Sequence, residues 1–424
     1  MTRVRPFKAL RYDTHRVDLG RVVVPPYDVV SAADREAFYE RDPHNAIRLE
    51  LTRSVADEAS TDYTEVRETL QRWQAEGVLT RDEVPSVYAL RQTFTAPEGG
   101  LHTREGFFAL LHLEDYNARI VRPHERTLAG PKADRLKMLR AARANLSVVF
   151  LLYEDREQRL AGLLSRALDD NELASASDQT GAVHRLARLE DAAEIREVEA
   201  FLAQHPVVIA DGHHRYETAL AYRDERRKAG EGNGDDAPHE WILAYFANAY
   251  SPGSLLLPIH RLVLSGGSPT DEVFAQRLPG WRVERVAVAS AEAVPDLLAK
   301  HLEPLADQHA FAVDDASGSL RIFSKKRGAD DSLTVRLIHR DVIEGVFGLD
   351  EQAVRDGAIA YPKSALQTAR DLRAGEGAAA LYLNPLSPED VFRVTAAGEV
   401  LPQKSTFFHP KLPSGLVFRT LDGM

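Results

Sequence analysis

One segment of the chain places a short apolar strand, a sharp turn and a polar helix directly after one another. Residues 207–210 read Val-Val-Ile-Ala, a mostly β-branched apolar run, and Pro206 stands where a strand can begin. Gly212 predicts the turn, because a residue without a side chain permits close approach of the backbone. Residues 214–228 are rich in helix formers and contain no Gly or Pro. The sequence therefore predicts a strand–turn–helix unit.

The start of this helix is predicted to bind phosphate. The first turn of a helix leaves backbone N–H groups unpaired, and these groups carry the positive end of the helix dipole. His213, His214 and Arg215 stand at that end, where an anion meets both N–H donors and cationic side chains. An ordinary Asp-Gly turn with solvated side chains is the alternative. Adjacent histidines point to different faces, so His213 and His214 are poor joint metal ligands.

Size, charge and composition exclude several classes of protein. The 424 residues are enough for two or three domains, and the net charge of -11 argues against a dedicated nucleic-acid binder. The chain has no cysteine, which excludes disulfides and thiol catalysis and fits a reducing compartment. It shows no signal-peptide core and no apolar run of membrane-spanning length. We therefore expect a cytoplasmic protein with no membrane or nucleic-acid partner.

Two further stretches near the N-terminal half carry ionisable residues beside prolines. Residues 22–24 predict a strand that two prolines end, which leaves Tyr27 and Asp28 on a rigid turn. This turn is either a structural corner or a substrate-facing loop. Further along, His124 and Glu125 follow a strand and a proline. A solvated loop explains this second group, and a catalytic carboxylate beside basic groups explains it equally well.

The C-terminal residues 401–411 combine two lysines, Lys404 and Lys411, with the hydroxyls of Ser405 and Thr406. Lys and Ser/Thr side chains together suit phosphate oxygens. Neighbouring aromatic residues predict that this segment is docked on the protein rather than exposed. Elsewhere, residues 47–51 and 334–337 alternate polar and apolar side chains and are predicted to form strands.

Taken together, these stretches identify the chain as a member of the bacterial family catalogued as domain of unknown function 1015. The resemblance runs nearly end to end and rests on the motifs at residues 24–29, 123–127, 209–219 and 402–406. That family resembles the free-serine kinases of the ParB/sulfiredoxin superfamily. In those kinases a His-Glu pair follows the first core strand, and an Asp-Gly-His-His/Thr-Arg turn follows the last.

The resemblance implies an α+β (mixed α/β) fold with a ParB/sulfiredoxin-like core. We expect an N-terminal α/β domain over residues 1–105 and the core over residues 106–230, with an insertion at about 155–200. A larger C-terminal α/β domain over residues 231–424 is expected to end in a docked tail. The two outer domains have no counterpart in the small kinases.

The resemblance also implies a phosphotransferase that uses ADP or ATP with Mg²⁺ and acts on L-serine or O-phosphoserine. The preferred direction is removal of phosphate from phosphoserine in serine biosynthesis. A metal-dependent phosphoserine phosphatase that needs no nucleotide is one alternative. A ParB-like nucleotide-binding module without small-molecule turnover is the other.

Residue roles follow by matching the motifs position by position. Glu125 is expected to act as general base or acid, and His213 or His214 to stabilise charge on the transferring group. Asp211 is expected to assist catalysis and to hold Mg²⁺ directly or through water. The predicted nucleotide-binding residues are His124, Gly212, His213, His214 and Arg215. The predicted substrate-binding residues are Tyr27, Asp28, Arg126, Thr127, Lys404, Ser405 and Thr406.

Overall fold

The computed structural model describes residues 1–53, 62–127, 129–232, 234–328 and 333–422. The predicted α+β class is confirmed. The strands in these ranges are β1 (Val4–Arg5), β2 (Leu10–Tyr12), β3 (Leu79–Arg81), β4 (Val87–Thr95), β5 (Leu101–His112), β6 (Val121–Pro123), β7 (Ala144–Asn145), β8 (Val149–Tyr153), β9 (Glu172–Ser177), β10 (Val183–Leu189), β11 (Val207–Asp211), β12 (Trp241–Asn248), β13 (Leu255–Leu257), β14 (Arg261–Val263), β15 (Arg282–Ala287), β16 (His309–Asp314), β17 (Ser319–Lys325), β18 (Ile359–Ala360), β19 (Ala379–Leu383), β20 (Phe407–His409) and β21 (Arg419–Thr420).

The α-helices in the same ranges are α1 (Leu19–Val22), α2 (Ala32–Arg41), α3 (Ile47–Glu50), α4 (Thr64–Ala75), α5 (Ala129–Ala142), α6 (Ala161–Asp170), α7 (Ala192–Ala203), α8 (His213–Lys228), α9 (Asp271–Arg277), α10 (Val294–His301), α11 (Thr334–Leu337), α12 (Glu351–Arg355), α13 (Ala365–Arg373) and α14 (Pro388–Ala396). Within the described part of the chain, no helix has the length and apolar character needed to cross a membrane.

A mixed sheet of nine strands forms the larger core. Its order is β6-β11-β8-β12-β5-β4-β10-β9, and β1 pairs additionally with β5. Strand β11 is parallel to β6, β8 is parallel to β12, and the other neighbours are antiparallel. Along β11, Val207 and Ile209 face a core shared with α6, α7 and α8, whereas Val208 and Ala210 face the opposite core. Both faces are covered, which explains why this strand is apolar from Val207 to Ala210.

A second sheet of six antiparallel strands follows in the C-terminal half, in the order β15-β17-β16-β19-β14-β18. Helices α10 and α13 pack on one of its faces through Val294, Leu298, Ala369 and Leu372. The amphipathic pattern of these helices follows from this one-sided packing.

The C-terminal segment leaves the second sheet and takes part in two separate two-stranded sheets. Strand β20 pairs with β13, and β21 pairs with β7. Buried Arg104 donates to the carbonyl of Pro410 over 2.8 Å, and buried Arg261 donates to that of Lys404 over 3.1 Å. Buried guanidinium groups that bind backbone carbonyls fix the path of the segment between these points.

Three short predicted strands are wrong. Residues 22–24 end α1 and make one isolated bridge from Val24 to Ser414. Residues 47–51 contain α3, because the side chain of Asn45 accepts the N–H of Ile47 at its start. Residues 334–337 form α11. Three to five residues are too few to separate a period of 2 from one of 3.6.

The predicted domain boundaries fall inside the larger sheet. The boundary between residues 105 and 106 cuts β5, and the boundary between residues 230 and 231 divides β12 from its neighbours β5 and β8. Strands β9 and β10, from the predicted insertion, extend the same sheet beyond β4. The three-domain division therefore stays a prediction about folding units.

Candidate active site

Two parallel strands bring the central motifs to one edge of the larger sheet. Strand β6 ends at Pro123, directly before His124 and Glu125, and its parallel neighbour β11 ends at Asp211. The carboxyl ends of neighbouring parallel strands lie at the same edge, where α/β proteins commonly bind ligands. The two predicted motifs thus meet there, although nearly ninety residues separate them along the chain.

Gly212 makes the turn from β11 into α8. Its φ of 89° and ψ of 30° lie in the left-handed region, which favours glycine. A Cβ atom here would lie 2.9 Å from Nε of Arg215. No side chain caps the helix at this position, and the first-turn N–H groups have no partners within the helix. The helix dipole at this end favours an anion.

His124 and His213 form a buried hydrogen-bonded pair behind Glu125. The backbone N–H of His124 donates to Nε2 of His213 over 3.2 Å, and the two imidazole rings meet edge to face. Nδ1 of His213 lies 3.4 Å from Oε1 of Glu125, whose side chain is 41% exposed. Nδ1 of His124 contacts the carbonyl of Ile209 at 2.5 Å, and its Nε2 contacts Oγ1 of Thr406 at 3.3 Å.

These contacts fix the protonation of both rings. Burial lowers the pKa of His124 and lowers that of His213 still further, so both are neutral near pH 7. Because Nε2 of His213 accepts a hydrogen bond, its single proton lies on Nδ1, facing Glu125. His124 carries its proton on Nδ1, facing a carbonyl. The arrangement presents an N–H donor to a carboxylate that solvent can reach.

His124, Glu125 and His213 also satisfy the spacing of a metal site, since one potential ligand atom from each lies within 4.8 Å of the others. The hydrogen bonds do not fit such a site. The lone pair of His213 already accepts the N–H of His124, so a metal at Nδ1 would require that ring to lose its remaining proton. The cluster is therefore better suited to moving protons than to holding a cation.

Asp211 joins the start of α8 to the C-terminal segment. Its Oδ2 accepts from Arg215 over 2.9 Å, and its Oδ1 lies 2.5 Å from Nζ of Lys411. Burial acts to raise the pKa of Asp211, but Lys411 and Arg215 outweigh it and hold that pKa well below its usual range. Both carboxylate oxygens are engaged by cations, so Asp211 is not placed to be a direct ligand of the predicted Mg²⁺.

The predicted N-terminal turn also reaches the site. Residues Tyr27–Val29 form a 3₁₀-helix, and Oδ2 of Asp28 lies 4.0 Å from Nζ of Lys411. The guanidinium of Arg135 lies 4.2 Å from the centre of the Tyr27 ring. Burial raises the pKa of Tyr27. Tyr27 and Asp28 thus flank the pair formed by Asp211 and Lys411.

Arg126 and Thr127 lie at the side of this arrangement. The hydroxyl of Thr127 donates to Oε2 of Glu217 over 2.7 Å, and Lys132 contacts the same oxygen at 2.8 Å. Arg126 is exposed and lines a separate open cavity of about 790 Å³, together with Arg336 and Arg355. Thr127 therefore holds α8 through Glu217, while Arg126 faces a neighbouring cleft.

The three predicted C-terminal residues have different surroundings. Thr406 contacts His124, as described above. The hydroxyl of buried Ser405 donates to the carbonyl of Pro402 and stabilises the local turn. Lys404 is exposed and has a left-handed φ of 57°. Only Thr406 among them contacts the histidine pair.

Sequence reasoning counted Lys411 among phosphate-suited residues but did not predict Lys363. Lys411 lies in the predicted docked segment, but the motifs assign it no individual role. Nζ of Lys363 lies 3.6 Å from the centre of the Phe407 ring, and this lysine comes from the connection between β18 and α13, outside every predicted motif. No local pattern marks it, so only the fold reveals that it belongs here.

Several solved structures show a distant likeness to the chain. A free serine kinase variant in complex with AMP is 13% identical, covers 73% of this chain and 92% of its own, and gives a TM-score of 0.35. A conserved hypothetical protein from Pyrococcus furiosus is 14% identical, covers 74% of this chain and 96% of its own, and gives a TM-score of 0.34. C-terminally truncated SbnI from Staphylococcus aureus is 12% identical, covers 74% of this chain and 89% of its own, and gives a TM-score of 0.34. Likeness at this level says nothing about the reaction.

Comparison with curated proteins gives no match. A family model described as "Protein of unknown function (DUF1015)" matches residues 4–339, which is most of the chain. The family predicted from the four motifs is thereby confirmed. The chain belongs to the DUF1015 family.

Proposed function

We propose that this protein is a phosphotransferase that moves a phosphoryl group between a nucleotide, ATP or ADP, and the hydroxyl of L-serine. The physiological direction would consume O-phosphoserine. One observation carries the proposal: Glu125, with Nδ1 of His213 3.4 Å from its carboxylate, lies at the sheet edge where α8 begins. A partly exposed carboxylate beside an open helix N-terminus joins a general base to a phosphate-binding position.

Glu125 would act as general base or general acid towards the serine hydroxyl. In the kinase direction its carboxylate takes that proton while the serine oxygen attacks the terminal phosphorus of ATP, and the bond from this phosphorus to the bridging oxygen of ADP breaks. In reverse, protonated Glu125 returns the proton to the serine oxygen as the phosphoryl group moves to ADP. His213, whose Nδ1 lies 3.4 Å from Oε1 of Glu125, would help to position this carboxylate. Phosphoryl transfer mainly needs such positioning and charge neutralisation.

The start of α8 would bind the phosphates through its backbone N–H groups rather than through Arg215. The guanidinium of Arg215 is already engaged by Asp211 and by the carbonyl of Val148. Its role is to orient Asp211 and to keep the positive helix end rigid. Since both oxygens of Asp211 are paired with cations, no step of this mechanism passes through a metal bound directly to that residue.

The two alternatives remain distinct in chemistry. The spacing of His124, Glu125 and His213 favours a metal-dependent phosphatase, whereas their hydrogen bonds oppose it. A nucleotide-binding module would need the α8 start but would have no use for Glu125. The motif resemblance to free-serine kinases supports transfer over both.

Incubation of the full chain with O-phospho-L-serine tests the proposal. One arm contains ADP and one does not, each with and without MgCl₂, and serine, free phosphate and ATP are followed. We expect ATP and serine to form in equal amounts only when ADP is present. Free phosphate without nucleotide would establish the phosphatase instead. Nucleotide binding without turnover would establish the binding module.

A further inference from the structure

An open cavity of about 350 Å³ lies between the turn after β4, strand β13 and helix α10. Its walls are largely aliphatic and include Leu256, Leu298, Leu302 and Leu383. The histidine pair and Glu125 do not line it. A volume of this order accommodates a small organic ligand, and aliphatic walls favour a ligand with an aliphatic portion.

One buried hydrogen-bond donor at this cavity lacks an acceptor among the described residues. His260 lines the cavity and is only 3% exposed. Its Nδ1 accepts the backbone N–H of Leu383 over 3.4 Å, and burial lowers the pKa of the ring to about 3. The ring is therefore neutral near pH 7, and its single proton lies on Nε2. Since buried polar groups are normally paired, this N–H is available to an acceptor on a ligand.

A lysine without a counter-ion lines the same cavity. Lys363 makes no ion pair with any residue in the described ranges, and its Nζ lies 3.6 Å from the centre of the Phe407 ring. Burial lowers the pKa of Lys363, because the ammonium group has lost part of its hydration. A carboxylate suits both Lys363 and His260, since its oxygens accept from an ammonium group and from a neutral N–H.

Carboxylates line this cavity as well, so a simple anion does not match it. Asp296 lies in the first turn of α10 and Glu303 lies just beyond its end, and neither makes an ion pair with a described residue. The third carboxylate, Glu98, is engaged, because its Oε1 accepts the N–H of Ala365 over 2.7 Å. The two remaining carboxylates favour a ligand that carries an ammonium group in addition to its own carboxylate.

One strand separates the cavity from the histidine pair. Leu256 in the cavity wall is paired with Phe408 on β20. The ring of Phe408 lies 5.5 Å from that of His124, centre to centre. A ligand in the cavity and the serine of the proposed reaction therefore occupy separate positions.

We propose that this cavity binds an aliphatic α-amino acid as its zwitterion. Lys363 and the Nε2–H of His260 receive the carboxylate, and Asp296 and Glu303 receive the ammonium group. The aliphatic side chain lies against the leucine walls. The inference goes beyond the proposed function and does not rest on it, because no residue of the proposed reaction takes part.

Calorimetric titration of the full chain with L-leucine tests the site without any turnover. Two analogues each lack one charged group: 4-methylpentanoate has no ammonium group, and isoamylamine has no carboxylate. L-Leucine should bind about tenfold more tightly than either analogue, because each analogue loses a charge-assisted contact. Excess L-serine should not displace L-leucine. No binding of L-leucine, equal affinity for an analogue, or displacement by L-serine would overturn the proposal.

Substitutions assign the two ends of the ligand separately. Lys363→Gln should weaken binding of L-leucine by about tenfold and leave that of isoamylamine unchanged, because the amine has no carboxylate to lose. Lys363→Arg should restore most of the affinity for L-leucine. Asp296→Asn combined with Glu303→Gln should weaken binding of L-leucine and isoamylamine but not that of 4-methylpentanoate.

Lys300→Gln and Asp307→Asn are the matched controls, because they remove the same charges from exposed positions that do not line the cavity. Both should bind L-leucine like the wild type. Equal losses in Lys363→Gln and Lys300→Gln, or unchanged affinity in Lys363→Gln, would overturn the site. A protein that binds L-leucine in the expected pattern but transfers no phosphoryl group would refute the proposed reaction and keep this site.

Discussion

Nζ of Lys411 lies 2.5 Å from Oδ1 of Asp211, although the two residues are 200 positions apart in the chain. This ion pair ties the C-terminal segment to the strand that leads into α8. It is largely shielded from solvent, with side-chain exposures of 20% and 18%. The pair therefore holds the segment around Lys411 against the strand that leads into α8.

A double-mutant cycle measures this connection. Asp211→Asn should destabilise the protein by about 3 kcal/mol, since it leaves buried cations without their partner. Combined with Lys411→Gln, it should show a coupling energy of about 2 kcal/mol in urea unfolding. Purely additive losses would mean that the two side chains do not interact in solution.

The same pair predicts an acid limit to stability. The folded-state pKa of Asp211 is lowered, so its stabilising contribution is present above the unfolded value of about 3.9 and is lost as pH falls further. In Asp211→Asn this part of the pH dependence should disappear. Urea unfolding of both proteins between about pH 5 and pH 3 supplies the comparison. Curves that stay parallel throughout would contradict the assigned pairing.

Alanine substitutions of two glycines at opposite ends of α8 distinguish the cost of backbone strain from the cost of a steric clash. Gly230 has a φ of 80° and no atom within 4 Å of the point where a Cβ would stand, whereas Gly212 has a φ of 89° and Arg215 at 2.9 Å from that point. Gly230→Ala should cost about 1 kcal/mol from strain alone. Gly212→Ala should cost more and should also weaken ADP binding, because the methyl group displaces Arg215. Equal losses of stability with unchanged ADP affinity would argue against a tightly built turn.

His260 offers a test of buried neutral histidine away from the site. Burial and then Arg261 lower the pKa of His260 to about 3. In the unfolded chain this ring takes up a proton near pH 6.5. The contribution of His260 to the free energy of unfolding is therefore constant at higher pH and falls by about 2 kcal/mol on going to pH 5. His260→Gln should remove that part of the decrease, whereas exposed His15→Gln should leave it intact. Identical pH profiles for the parent and His260→Gln would contradict the neutral buried ring.

Local features were predictable where one segment sufficed. The strand–turn–helix unit appears as β11 and α8, within a residue of the predicted bounds. Its signals are strong because β11 is covered on both faces and α8 is long. The strand predicted at residues 47–51 was wrong. Ile47, Leu49 and Glu50 are all buried, and this burial pattern matches neither the alternation of a strand nor a clear helical period.

The composition of the site was predictable only in part. Motif matching found Glu125 and His213, but the contact from Thr406 to His124 spans 282 positions and depends on the paths of both sheets. Lys363 lies in no motif, so its approach to Phe407 follows from tertiary structure alone. Spatial convergence of distant segments leaves no mark in a single sequence.

Glu125 gives the most direct test of the central claim. In a single-turnover reaction, wild-type protein with bound O-phosphoserine and ADP should form ATP and serine. Glu125→Gln should slow this step by about 100-fold or more, while ADP affinity changes by less than about twofold. Exposed Glu197→Gln, with the same loss of charge, should react like the wild type. ATP formation at the wild-type rate in Glu125→Gln would contradict the proposed catalytic role.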